Sequence, residues 1–173
     1  MSTAAATKAV ATDAPPMVEI MVSSLVEVTR DIFSTMVDRA VEFGEPSFKG
    51  PQPTANVVAT VGFAGTLSGY ISLCVSKDAA LEIAQALLGS DADEAPAHVR
   101  DAAGEMANMI AGSVRTVMAD RGENVGISTP IVTVGTDFST AALRDVSQAV
   151  CPFKMGTYDN LFVYLVLQGK GRK

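Results

Sequence analysis

Asp101, Glu105, Asn108, Gly112 and Arg115 follow one another at spacings of four, three, four and three in the stretch DAAGEMANMIAGSVR. At about 100° per residue such a run lines one side of an α-helix, with Glu105 and Asn108 about 60° apart. Together they offer a carboxylate, which accepts hydrogen bonds and pairs with cations, and an amide, which both donates and accepts. Gly112 is the odd member, because an exposed glycine inside a helix costs about 1 kcal/mol relative to alanine. Beside Ala111 it allows another surface to come close. The spacing alone fits a solvated helix face. Gly112 and the small neighbours Ala102, Ala103, Gly104, Ala107 and Ala111 fit a low docking ridge better.

Other chemistries find little support. The chain has one histidine, His98, and two cysteines, so no zinc spacing exists and no metal ligands are assigned. His98 itself fits a solvated position or a helix N-terminal contact better than ligation. No G-x-x-x-x-G-K-[ST] or G-x-S-x-G occurs, which leaves a nucleotide loop or a serine triad without a motif. Catalysis here has to work through carboxylates, amides and positioning.

The length of 173 residues suits a single domain with a sizeable core, and 48% hydrophobic with 18% charged residues is ordinary globular composition. Thirteen basic against nineteen acidic residues, with no basic run, disfavour nucleic acid as a partner. No stretch is apolar for long enough to span a membrane, and MSTAAATKAVATDAPP lacks the core of a secretory signal. Cys74 and Cys151 sit singly in apolar runs and are expected reduced and buried, which points to the cytoplasm.

These residues need elements to position them. Residues 1–16 read as a disordered tail of small residues. A helical pattern starts at Met17 and continues through Ile20, Leu25, Val28, Ile32, Met36 and Val37 to Phe43-Gly44. After a Gly/Pro loop, residues 55–63 and 67–76 form a hairpin about Ala64-Gly65-Thr66. A helix over 78–88 and an acidic linker follow. The site helix then runs from about Ala97 to Arg121, with Val99, Ala103, Met106, Ile110, Val114 and Val117 as its buried stripe. One strand covers about 126–134, and a last hairpin, VSQAVCPFKMG with LFVYLVLQG, turns at Thr157-Tyr158-Asp159. The domain is therefore 17–169, with 170–173 a C-terminal tail. Its halves look alike: each has a long helix and a hairpin with Gly-Thr at the turn, Phe63 and Phe153 leading. Glu27–Phe33 aligns with Glu105–Ala111.

In these residues the chain resembles the CheC/CheX/FliY phosphatases of chemotaxis. Their signature is Asp or Ser, three residues, Glu, two residues, Asn and, further on, Pro. Here it is Asp101, Glu105, Asn108 and, after residues 109 to 129, Pro130. The segment GEMANMIAG is similar to the CheX form in particular. The resemblance implies an α/β (α+β) fold of two pseudo-repeated halves, with long helices packed on an antiparallel β-sheet. It implies a hydrolase acting on the aspartyl phosphate of a CheY-like response regulator, within chemotaxis or another two-component pathway. On that footing Asn108 orients the attacking water and Glu105 docks to the regulator's active-site lysine. Asp101, Gly112 and Pro130 belong to the partner-binding surroundings. No cofactor is expected on this chain, the divalent metal (Mg) being the regulator's own, and a homodimer is expected. The first half reads Glu27-Val-Thr-Arg30, with arginine in place of the amide, so the resemblance implies one working helix, as in CheX. The rival is a module that binds a response regulator or a flagellar-switch component without hydrolysis.

Overall fold

The computed structural model describes residues 16–49, 53–89, 91–92, 95–142 and 145–168. Of the expected tails, 1–15 and 170–173 lie outside the described residues, while Pro16 already belongs to the first helix.

Helix α1 (Pro16–Ile32) buries Val18, Met21, Leu25 and Ile32 and continues into a π-helical turn, Phe33–Val37. It stops at Asp38, which adopts φ 53° and ψ 41° and donates its N–H to the Phe33 carbonyl. A left-handed residue there ends the helix. The helix therefore does not reach Phe43-Gly44, and Val41–Phe43 instead form strand β1. Val37 and Val41 are four apart and mimic a helical face. The Val41/Phe43 alternation is nevertheless satisfied by a ladder, in which Val41 faces Met155 and Phe43 faces Phe153. The two phenylalanine rings lie 5.3 Å apart.

The remaining elements are β2 (Ala55–Gly65), β3 (Gly69–Val75), α2 (Lys77–Leu88), α3 (Pro96–Asp120), β4 (Val125–Ile127), β5 (Ile131–Phe138), β6 (Val146–Met155) and β7 (Tyr158–Gln168). Ser76 caps α2 by accepting from the Ala79 N–H, as a serine before a helix is suited to do. The last hairpin turns at Gly156-Thr157 rather than at 157–159. Met155 pairs with Tyr158, and Gly156 supplies the positive φ, 57°, of a tight turn.

The strand expected over 126–134 is divided into β4 and β5. Pro130 has no N–H for the ladder and interrupts it. Ser128 holds the corner: its N–H donates to the Gly62 carbonyl and its Oγ accepts from the Gly62 N–H. Both pieces stay on the same neighbour, β4 opposite Phe63–Gly65 and β5 opposite Ala55–Thr60.

All strands form one antiparallel sheet in the order β1-β6-β7-β3-β2-β4, with β5 also beside β2. The strand following each long helix leaves its own half. β1 pairs with β6 and β4 with β2, while β3 and β7 meet in the middle. Phe153 opposite Phe43 is matched by Phe63 opposite Ile127. The two halves thus repeat in topology as well as in sequence.

The helices cover one face of the sheet and enclose the main core, in which α3 packs against α1, α2 and β2. On the other face, Tyr164, Cys74 and Val166 are covered by a smaller cluster that includes Phe138 and Ala142. Tyr164 donates there to Gln148 at 2.7 Å. Both cysteines are free and buried, and burial pushes each thiol up to about 12, so neither is a nucleophile near neutral pH.

Candidate functional site on the third helix

The expected stripe of α3 is buried at Val99, Ala103, Met106, Ile110 and Val114, whereas Val117 is half-buried and Met118 takes its place. Ala102, Gly104, Ala107 and Ala111 are buried too. They do not surround an open ridge, as their small size suggested. They let α1, α2 and the sheet come close to α3 on both flanks. What remains is a narrow strip in which Asp101, Glu105 and Arg115 are exposed and Asn108 and Gly112 half-buried.

Glu105 and Asn108 share this strip, about one turn apart, as the spacing requires. Among the described residues, no hydrogen bond or ion pair holds the side chains of Asp101, Glu105, Asn108 or Arg115. An exposed carboxylate and an amide with no internal work to do are available to an outside partner. His98 is half-buried in the first turn of the same helix. Among the described residues, no three His, Cys, Asp or Glu side chains gather as metal ligands.

Pro130 comes to this helix from the corner between β4 and β5. A Cβ added to Gly104 would lie 3.3 Å from Val132 Cγ2 and 3.6 Å from Pro130 Cγ. Gly104 therefore seats the Pro130 corner directly beside Glu105. Its role went unread in the sequence, where it passed as one more small residue, because no spacing marks which residue of the helix faces Pro130. Gly112 differs, since a Cβ there would meet nothing within 4 Å. No described neighbour requires glycine at that position.

The first helix presents the corresponding strip. With Glu27 placed on Glu105, burial coincides at Met21 and Val99, Ser24 and Ala102, Leu25 and Ala103, Val26 and Gly104, Thr29 and Ala107, Ile32 and Ile110, and Phe33 and Ala111. Ser23, Glu27 and Arg30 are exposed where Asp101, Glu105 and Asn108 stand on α3. Ser23 bonds back to the Glu19 carbonyl. Serine is an accepted first residue of the signature, so the departure in this half is concentrated at Arg30.

The family model described as "Chemotaxis phosphatase CheX" matches residues 57–154, more than half of the chain, and the chain belongs to that family. The solved CheX of Desulfovibrio desulfuricans is 27% identical, with 86% of this chain and 99% of that chain covered and a TM-score of 0.78. CheX of Vibrio vulnificus is 23% identical over 86% and 99% of the two chains, with a TM-score of 0.80. A Borrelia burgdorferi structure of CheX with CheY, BeF3 and Mg is 19% identical over 86% and 96%, with a TM-score of 0.66. No curated protein matches the sequence.

Proposed function

We propose that this chain hydrolyses the aspartyl phosphate of a CheY-type response regulator, ending a chemotactic or other two-component signal. The observation that carries the reading is the uncommitted pair Glu105 and Asn108, one turn apart on an exposed strip of α3. The family match and the Borrelia complex with CheY support the choice of partner.

An acyl phosphate is already activated, and the regulator brings its own aspartate and divalent metal; this chain contributes no cofactor. What it has to add is geometry. Fixing a water in line with phosphorus removes orientational freedom that otherwise raises the barrier by several kcal/mol. The Asn108 amide oxygen accepts a hydrogen bond from that water, while its NH2 donates elsewhere. Being neutral, the amide does not repel the phosphoryl group as a carboxylate does. Glu105, one turn earlier, pairs with the regulator's active-site lysine and sets the helix in register. Asp101 and Pro130 shape the near rim, and Gly112 leaves room beyond Asn108.

The deciding measurement is turnover of a receiver domain charged with acetyl phosphate and Mg. Asn108→Ala should remove the acceleration and leave the fold intact; retained turnover defeats the mechanism. Binding without turnover by the unaltered protein favours a non-catalytic module. We assign the chain to the cytoplasm, where its regulator resides; no described helix is long and apolar enough to cross a membrane. A homodimer also belongs to this proposal. It is supported by β5, beside which no second strand lies among the described residues and where Ile131 and Val134 are 71% and 41% exposed. An uncovered apolar edge is a template for another strand. A monomeric mass at every concentration in sedimentation velocity counts against it.

A further inference from the structure

We propose that Arg115 is a positioning residue for the regulator, pairing with a carboxylate on the partner's surface beyond its phosphorylation site. This rests on the phosphatase reading above.

Arg115 lies seven residues after Asn108, so it points within about 20° of the same direction and about 10 Å further along the helix. It is exposed, and no ion pair or hydrogen bond among the described residues occupies its side chain. It also lines an apolar recess with Leu67, Met118 and Ile127. Such a recess supports the aliphatic part of an arginine while the guanidinium reaches outward. Between Asn108 and Arg115 the strip holds only Gly112, with open space where its Cβ would be. A partner backbone can therefore sit down against the helix between the two side chains.

Electrostatics give this arrangement a purpose. The regulator arrives carrying a phosphoryl anion, and the strip presents Asp101 and Glu105 on a chain of net charge −6. Within the line from Asp101 to Arg115, Arg115 is the one cation. A carboxylate pair at one end and a guanidinium at the other favour one of the two directions in which a partner can lie along the helix. Complementary rim charges act in this way on encounter and orientation.

The first helix shows what is missing without it. On the same alignment Val37 and Asp38 stand where α3 has Arg115 and Thr116, and there α1 has passed through its π-turn and ended. The extension of α3 past Gly112 thus belongs to the half that carries the amide.

Steady-state dephosphorylation of a stand-alone receiver domain, charged with acetyl phosphate and Mg, should be followed at low and high salt. Arg115→Glu should raise KM roughly tenfold at low salt with little change in kcat, and the gap should shrink at high salt. Arg115→Lys should recover part of the loss. If the unaltered protein turns over and Arg115→Glu has the same KM at both salts, the inference is overturned while the phosphatase reading stands. If the unaltered protein shows no turnover, that reading falls. Affinity for the regulator loaded with beryllium fluoride and Mg then decides Arg115 separately, and an unchanged affinity overturns its role.

Discussion

The two long helices are alike in what they bury and differ in what they show. Seven buried positions between Met21 with Val99 and Phe33 with Ala111 coincide, the exceptions being buried Val22 against exposed Arg100 and half-buried Val28 against buried Met106. Both outer strips carry a glutamate at the same point. One strip then has Asn108 and runs on for three further turns, while the other has Arg30 and ends at Asp38. The packing repeat is therefore separable from the chemical one. A helix has to keep its inner face to hold the sheet, whereas its outer side chains are free to differ. On the proposed mechanism the second strip needs its amide, though not the amide alone, to orient a water.

That contrast can be broken most severely at Asn108. On the proposed mechanism, Asn108→Ala should leave the second strip without a water-orienting amide, as the first is. We expect a loss of the accelerated component of at least about a hundredfold, the scale of a removed positioning or electrostatic group. Thermal unfolding should move by no more than about 0.5 kcal/mol, since the residue is half-exposed and its side chain has no bond among the described residues.

Gly104 offers the next largest effect. Val26 occupies its place on α1 and is buried without harm. On α3, Gly104→Val forces a branched side chain against Val132 and Pro130, one of which already lies 3.3 Å from the first added atom. Overpacking of this kind costs about 1–3 kcal/mol. Chemical denaturation should show that cost, and turnover should fall as the Pro130 corner is pushed from the strip. Unchanged stability would mean that the corner yields freely.

Glu105→Ala should chiefly weaken docking, by roughly tenfold in affinity for a beryllium fluoride-loaded regulator, as expected for one lost charge-assisted contact. Equal affinity in a titration removes its assigned role. Arg30→Asn should do least. Introduced into the Asn108→Ala protein, it writes the amide into the first strip, yet α1 lacks both the seat at Gly104 and the extension past Gly112. We expect no recovered turnover; any recovery would show that the amide alone makes a site.

Much of this arrangement was legible in the sequence, because polar residues at helical spacing and β-branched runs around Gly-Thr turns report their geometry directly. The α3 strip, both hairpins and the matching of Phe63 with Phe153 are of that kind. The small residues were not. Ala102, Gly104, Ala107 and Ala111 carry no strong periodic signal, so a sequence does not say whether they edge an open ridge or lie under two flanking helices. Val41 and Phe43 misled for another reason: at the end of a helical run, four-residue spacing is satisfied by a strand once Asp38 reverses the chain. The division of β4 from β5 was marked by Pro130, which the motif claimed first.

The exchange of β1 and β4 between the halves also has a consequence for the order of events during synthesis. When β1 leaves the ribosome, its partner β6 does not yet exist, and β3 waits in the same way for β7. The amino-terminal half must therefore persist with unsatisfied strand edges until nearly the whole chain has been made. Contacts this distant in sequence slow folding and leave edges exposed to other chains. The sheet closes only when the last hairpin arrives, and it is α1 that waits for it. That helix rests on β6 and β7, whereas the helix that carries Asn108 rests on β2 to β5, which are made earlier.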